Sequence, residues 1–161
     1  VHAVGFKVLE NNGNSFCDGD GSGTVCPCGN LGAVGEGCRN SFGSGGVLSA
    51  NGNADPTADT LMLVASQCAP FRAGVFIQAD GMENAGAGSL FGDGLLCVQG
   101  GMMVLEYAPT DGGGGATSSV VLSLAGGVSA GDTRAYQYWF RDQSGPCAGQ
   151  FNLTNGRIVT W

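Results

Sequence analysis

Short runs of apolar residues, separated by turn-forming residues, recur along most of the chain. Within several runs, apolar and other residues alternate with a period of two, which is typical of strands that bury one face. No stretch combines a helical period with capping residues. The runs predict about nine strands, at a spacing typical of a β-sandwich or jelly roll. They cover residues 3–9, 47–50, 61–65, 75–79, 95–99, 102–107, 118–124, 134–142 and 157–161.

The run over residues 134–142 carries aromatic residues on both of its faces. Along it, three aromatic positions alternate with three others: Tyr136, Tyr138 and Phe140 with Ala135, Gln137 and Trp139. Because a strand in the middle of a fold buries both faces, this segment is predicted to be a central strand.

The first ten residues read as a strand that stands in front of the main domain. Val4, Phe6 and Val8 line one face of an extended segment. Residues 11–15 are rich in Asn, Gly and Ser and predict a turn or linker. We therefore divide the chain into an extension with its linker, residues 1–15, and one β-sandwich domain, residues 16–161, whose residues 16–46 form a cysteine-rich loop.

Composition narrows the class of protein. Charged residues make up 12% of the chain, the net charge is −7 and Lys7 is the only lysine. Without a basic surface to neutralise phosphates, nucleic acid is not an expected partner. No apolar run is long enough to span a membrane and no signal peptide is present. We expect Val1 to be a mature N-terminus, the alternative being a fragment boundary.

Seven cysteines in 161 residues indicate an oxidising, extracellular or cell-surface location. Cys26 and Cys28 are too close in sequence to bridge each other comfortably, so each is expected to pair outward. Two connectivities stay open: Cys17–Cys26 with Cys28–Cys38, or Cys17–Cys28 with Cys26–Cys38. A zinc site is the rival, but the usual C-x₂₋₄-C spacing is absent. Cys97 and Cys147 flank strands and suit a long-range bridge, which leaves Cys68 buried and free or paired with another chain.

The turn at Asp18, Asp20 and Ser22, followed by Gly23, matches the first half of a calcium loop. An EF-hand is excluded because its twelfth position is Gly29 instead of Glu. A weaker calcium site on these three residues is one interpretation. The other is a turn whose Asp side chains accept hydrogen bonds from local N–H groups. No other cofactor is indicated.

Catalytic groups are sparse, and we expect no enzymatic activity. His2 is the only histidine, and it lies at the chain terminus. Any Ser-His-Asp or Cys-His arrangement would have to use it. Carboxylate pairs for a glycosidase exist in sequence, but such residues are more often solvated turn residues. These pairs are Asp55 with Asp59, and Asp80 with Glu83.

Several segments resemble a domain found at the C-termini of secreted proteins from planctomycetes and similar bacteria. They are FCDGDGSGTVCPCGN at 16–30, FGDGLLCVQGG at 91–101, LSLAGGVSAGDTRAYQYWFRD at 122–142 and GPCAGQFNLTNGRIVTW at 145–161. The resemblance implies secretion and a β-rich fold, and no activity. It also implies that Cys17, Cys26, Cys28, Cys38, Cys97 and Cys147 form the family's set, with Cys68 an addition.

Two hypotheses for function follow. In the first, the protein is a structural subunit of an extracellular filament or surface layer, and its partner is another copy of itself. Residues 1–10 would add as a strand to the neighbour's sheet, with Val4, Phe6 and Val8 as anchors. In the second, it is a secreted module that binds carbohydrate or calcium. Four aromatic residues would then offer a stacking surface: Tyr136, Tyr138, Trp139 and Trp161.

Overall fold

The computed structural model describes residues 9–161. These residues form thirteen short strands and one α-helix, which confirms the all-β class. The strand predicted over residues 3–9 lies, except for Leu9, outside the described residues. The strands are β1 (Asn14–Phe16), β2 (Val47–Asn51), β3 (Met62–Ser66), β4 (Gly74–Ala79), β5 (Gly81–Met82), β6 (Ser89–Phe91), β7 (Gly94–Leu96), β8 (Val98–Gln99), β9 (Met103–Tyr107), β10 (Ala116–Thr117), β11 (Thr133–Arg141), β12 (Phe151–Leu153) and β13 (Gly156–Thr160), and the helix is α1 (Leu122–Ala125).

A large antiparallel sheet runs in the order β1-β13-β11-β4-β9, with β12 also paired to β11. A second sheet has the order β10-β3-β2, and β5-β8 and β6-β7 form two small pairs. The prediction for residues 134–142 is confirmed, because β11 lies at the centre of the large sheet between β13 and β4.

The two larger sheets pack face to face as a sandwich. Their shared core takes alternate residues from each strand, as the period of two predicts. From the three-stranded sheet come Leu48, Leu63 and Ala65, and from the large sheet come Phe76, Tyr136, Tyr138 and Phe140.

The opposite face of the large sheet is covered by the cysteine-rich loop and the β7–β8 segment. A second core cluster there joins Ile77, Ala79 and Ala135 of the sheet to Cys17, Cys26, Cys38, Leu95, Cys97 and Val98. Buried Gln137 ties this layer to the sheet: its Oε1 accepts from Cys97 N at 2.9 Å, and its Nε2 donates to Leu95 O and Thr154 O. The domain thus has three layers.

The strand predicted over residues 118–124 is wrong. Only Ala116–Thr117 pairs with β3, and residues 122–125 form α1. Side chains take the hydrogen bonds that a strand would need: Ser118 Oγ accepts from Leu63 N at 2.9 Å, and Glu106 accepts from Ser119 N at 2.8 Å. These bonds turn the chain away from the sheet.

The six paired cysteines form three disulfides: Cys17–Cys97, Cys26–Cys38 and Cys28–Cys147. Of the two expected connectivities, only the Cys26–Cys38 bond of the second occurs, and the other expected pairings, including Cys97–Cys147, are wrong. The reason is the layering. The β7–β8 segment brings Cys97 onto Cys17, and the loop before β12 brings Cys147 onto Cys28. Because these six sulfurs are paired in three disulfides, none of them is left as a thiolate ligand for zinc.

Cys68 is a free thiol, fully buried in the sandwich core. Burial raises the pKa of this thiol, and the negative charge of Asp142 raises it further. A protonated, enclosed thiol is unreactive toward oxidants and alkylating reagents.

The three disulfides differ in solvent access, and we expect them to be reduced in order. Cys28 is exposed and Cys147 half-buried, whereas the other four bonded cysteines are buried. A mild dithiol should therefore open Cys28–Cys147 first. Alkylation followed by mass spectrometry of the peptides should label Cys28 and Cys147 before the rest. Labelling of Cys17 or Cys26 at the same rate would contradict this order.

Candidate functional site

The strand β9 is an edge strand of the large sheet, and it is unusually apolar. It pairs with β4 on one side, and among residues 9–161 no strand pairs with its other side. Val104 is 60% exposed and Tyr107 is 65% exposed. An edge strand presents unpaired N–H and C=O groups, which soluble proteins usually protect with lysine, proline, a β-bulge or a covering segment. β9 has one of these features, a shift in its register with β4 between Phe76 and Ile77. The sequence MVLEY of β9 contains neither lysine nor proline.

The single charge on β9 is engaged locally. The Glu106 carboxylate accepts hydrogen bonds from both the N–H and the hydroxyl of Ser119. Farther along, Gln78 Nε2 donates to Gly126 O at 3.0 Å. These contacts hold residues 119–126 beside the β9 edge, where two more large apolar side chains are exposed. We call the exposed set the β9 patch: Met102, Met103, Val104, Tyr107, Val121 and Leu124.

A hollow of about 250 Å³ lies next to this edge, on the face of the large sheet that the cysteine-rich layer leaves open. Tyr107, Val75 and Trp139 lie directly opposite one another on β9, β4 and β11 and form one row across it. Gly74 and Arg141 also line it. We call it the aromatic hollow.

The indole of Trp139 is held in place from the side away from Tyr107. Its ring centroid lies 5.4 Å from that of Phe91 and 5.1 Å from that of Phe151. These tilted, edge-on pairings are the favoured geometry for aromatic rings. The hollow therefore has one fixed aromatic wall, at Trp139, and one exposed aromatic wall, at Tyr107.

Gly74 has a defined reason to be glycine. A Cβ at this position would lie 1.9 Å from the hydroxyl of Tyr138, which donates to Ala108 O at 2.6 Å. The absence of a side chain lets β4 pass over this buried hydroxyl.

The N-terminal end of the described chain is fixed at the other side of the large sheet. Asn11 N donates to Asn53 Oδ1 at 2.8 Å, and Asn11 Nδ2 donates to Thr160 O at 2.6 Å. Arg157 Nε donates to Asn12 O at 2.7 Å. Residues 11–16 are thus held against β13. Of the predicted turn or linker, residues 11–15, the last two residues belong to β1. Leu9, just before them, is 84% exposed.

The predicted anchors Val4, Phe6 and Val8 lie outside the described residues. The described chain begins at the β1 and β13 side of the large sheet, opposite β9.

At the predicted calcium site, Asp20 Oδ1 accepts hydrogen bonds from Ser22 N at 2.9 Å and from Ser22 Oγ at 2.5 Å. These bonds lower the pKa of Asp20 below its ordinary value. Such contacts are those of a turn capped by its own side chain. Across residues 9–161, no group of three or more His, Cys, Asp or Glu side chains is arranged to hold a metal ion.

The four aromatic residues predicted as a stacking surface do not lie together. Tyr136, Tyr138 and Trp161 are buried in the sandwich core, where Trp161 Nε1 donates to the Tyr136 hydroxyl at 3.0 Å. Trp139 lies on the opposite face, because it alternates with Tyr136 and Tyr138 along β11. Sequence reasoning missed its actual neighbour in the hollow, Tyr107.

The carboxylates of the first predicted glycosidase pair are engaged in turns. Asp55 Oδ1 accepts from Thr57 N and Thr57 Oγ1, which lower its pKa. Asp59 accepts from Leu61 N and Ser123 N. Both side chains therefore have a structural role that accounts for their presence.

Comparison of the chain with protein-family models, with curated proteins and with solved structures finds no match. The resemblance to the planctomycete domain stays a prediction. Within residues 9–161, no helix has the length and apolar character needed to cross a membrane.

Proposed function

We propose that this protein is a non-enzymatic structural subunit of an extracellular filament or surface assembly, in which residues 1–8 of one copy add as a strand to the β9 edge of the next. The observation that carries the proposal is that the described chain begins at one edge of the large sheet and the exposed apolar strand lies at the other. The chain enters the fold at β1, and the exposed apolar edge is β9. The three disulfides indicate an oxidising compartment.

Strand addition uses the features that β9 displays. The free side of β9 offers main-chain hydrogen bonds, which provide affinity without depending on sequence. Exposed apolar side chains beside it provide specificity. On the added strand, Val4, Phe6 and Val8 share one face, and the β9 patch offers apolar surface to meet them. Apolar surface on both partners is buried when they join, which stabilises the contact.

The length of the chain prevents residues 1–8 from adding as one strand, with all three anchors, to their own β9 edge. Thr160 on β13 holds Asn11, and a strand added outside β9 lies four strand positions from β13. Neighbouring strands are spaced by about 4.8 Å, so that distance is about 19 Å. Val8 is three Cα–Cα steps from Asn11, and these steps span at most about 11 Å. Val8 therefore cannot reach the β9 edge of its own chain together with Val4 and Phe6.

A contact between two different surfaces of the same protein adds one subunit after another, unless the rotation between neighbouring subunits closes a ring. Each copy offers one donor segment and one acceptor edge, so the interface is heterologous. Such contacts generate open helical filaments or rings. Continuation of the large sheet from one subunit into the next favours the open form.

Removal of residues 1–8 should abolish assembly and leave the fold intact. We expect the full chain to form long uniform fibres in electron micrographs and to sediment as large particles. The truncated chain should sediment as a monomer with an unchanged circular dichroism spectrum, because it keeps β1 and the hydrogen bonds of Asn11 and Asn12 that hold the start of the domain.

A matched control keeps the composition of the extension. A variant that carries the same eight residues in an order without apolar alternation should behave like the truncated chain, because its apolar side chains no longer share a face. Fibres formed equally well by the truncated or the shuffled chain would refute strand addition. A full chain that stays monomeric at high concentration would refute the structural role.

A further inference from the structure

The aromatic hollow has the size and lining of a site for one ring of a longer ligand. Its volume is about 250 Å³, whereas pockets that enclose a whole drug-sized molecule occupy about 300–1,000 Å³. Among residues 9–161, its lining includes one charged side chain, that of Arg141, and no carboxylate. We propose that the hollow binds one hexuronate unit of an acidic polysaccharide, with the sugar ring between Trp139 and Tyr107 and its carboxylate at Arg141.

The two aromatic side chains are spaced for a single sugar ring. Tyr107 and Trp139 lie in one row with Val75 between them, on strands that are two positions apart in the large sheet. Two strand spacings correspond to about 9.6 Å. Contact between carbon atoms needs about 3.5–4.0 Å on each side of a ligand. The gap above Val75 therefore takes one ring and not two.

A pyranose ring suits these walls because its faces carry C–H groups and its edge carries hydroxyl groups. The C–H groups pack against apolar aromatic surface, and the hydroxyl groups stay in contact with water. Trp139 is already fixed by Phe91 and Phe151, so little side-chain entropy is lost when a ring packs against it. Half-buried Val75 forms an apolar floor.

The position of Arg141 adds a positive charge beside Trp139. Arg141 follows Trp139 by two residues on β11, so both side chains project from the same face, about 7 Å apart along the strand. The one ion pair within residues 9–161 joins Arg134 to Asp132. The exposed guanidinium of Arg141 therefore has no carboxylate partner among these residues.

This charge favours an acidic sugar over the other ligands of an aromatic pocket. A guanidinium group binds a carboxylate through two parallel hydrogen bonds. The carboxylate of a hexuronate is attached at the edge of its ring, so it can meet Arg141 while the ring stacks on Trp139. A quaternary ammonium group, which aromatic pockets also bind, would be repelled by the same charge.

The site goes beyond strand addition and does not depend on it. The hollow lies over the face of β9, β4 and β11, whereas an added strand would lie along the free side of β9. Both can therefore be occupied in one subunit. An assembly of such subunits would carry one site for an acidic polysaccharide on each copy.

Isothermal titration calorimetry of the full chain with trigalacturonate and its methyl ester tests the charge requirement. The ester keeps the sugar rings and loses the negative charges, so it should bind about tenfold more weakly than the acid, or less. Arg141→Gln should reduce the affinity for the acid to that for the ester. Arg39→Gln is the matched control, because Arg39 is also exposed but lies in the cysteine-rich loop.

Trimannuronate and triglucuronate complete the set of probes, because the hollow fixes the ring and charge of its ligand and not the configuration of each hydroxyl group. Tyr107→Ala tests the aromatic walls without disturbing the packing of Trp139. Tyr107 is 65% exposed, so this variant should fold normally and bind about tenfold more weakly. Trp139 also reports binding by fluorescence, since Trp161, the other tryptophan, is buried. Its emission should shift to shorter wavelength when a sugar covers it.

The results that would overturn the inference differ from those that bear on assembly. If none of the three uronates binds, or if Tyr107→Ala leaves their affinity unchanged, the hollow is not the site. Equal affinity for acid and ester, with no effect of Arg141→Gln, would make it a site for neutral sugars and refute the role of the charge. Uronate binding by a full chain that forms no fibres would leave this inference standing and refute the structural role.

Discussion

Under the proposed strand addition, replacing Val104 by lysine should leave the protein a stable monomer. Lysine on an edge strand is the residue that natural sheets use to prevent pairing with another chain. At the β9 edge it would place an unpaired charge against the apolar face of the incoming strand, and burying such a charge is costly. We expect fibres to disappear in electron micrographs and a single monomeric species in sedimentation velocity.

The fold should tolerate this substitution. Val104 is 60% exposed, and changes at such surface positions usually alter the free energy of unfolding by about 0.5 kcal/mol or less. Val25 provides a matched control, because it is also 60% exposed but lies in the cysteine-rich loop outside the β9 patch. Val25→Lys should assemble normally. Loss of fibres in both variants would point to a general charge effect, and normal fibres in Val104→Lys would contradict the role of β9.

Removing the Cys17–Cys97 bond should cause a large loss of stability. The bond joins positions 80 residues apart. In the chain-entropy model, opening a loop of this length lowers the free energy of unfolding by about 4–5 kcal/mol. That is a large share of the roughly 5–15 kcal/mol typical of a domain. Both sulfurs also belong to the second core cluster, so packing is lost as well.

The double variant Cys17→Ser with Cys97→Ser avoids leaving an unpaired thiol, and urea denaturation measures the change. Cys68→Ala is the control, because it removes a buried cysteine that forms no disulfide. It should cost much less than the double variant. A loss below about 1 kcal/mol in the double variant would show that the cysteine-rich layer is held by other contacts.

The sequence predicts the central strands well because their pattern is local. The alternation of Tyr136, Tyr138 and Phe140 identifies β11 and both of its faces, since one residue in two must point to each core. Some of the short strands are not predicted. β1, β5 and β12 have two or three residues each, too few for any period to show, and they exist because a neighbouring strand is already in place.

The disulfide pairing depends on contacts between distant segments. Nothing near Cys17 in sequence indicates Cys97, which reaches it only after the β7–β8 segment folds over the large sheet. The same holds for Cys28 and Cys147, which are 119 residues apart. Local spacing favoured the nearby pairs, and only Cys26–Cys38 follows that rule.

The candidate site was predictable in part. The run over residues 102–107 was identified as a strand, but a strand's place at an edge follows from sheet order, which the run itself does not encode. The apolar Val104 and Tyr107 read equally well as core residues. The sequence predicts Trp139 only as one of four residues of a stacking surface, and its partner in the hollow, Tyr107, becomes visible only through the register of β9, β4 and β11.

A mixing experiment measures head-to-tail strand addition most directly. Chains that lack residues 1–8 keep the β9 edge but offer no donor strand, and Val104→Lys chains keep the donor strand but offer no acceptor. Each should sediment as a monomer alone. Mixed in equal amounts, they should form one-to-one complexes and nothing larger, because each pair satisfies one donor and one acceptor. A mixture that remains monomeric, or one that forms fibres, would contradict the proposed assembly.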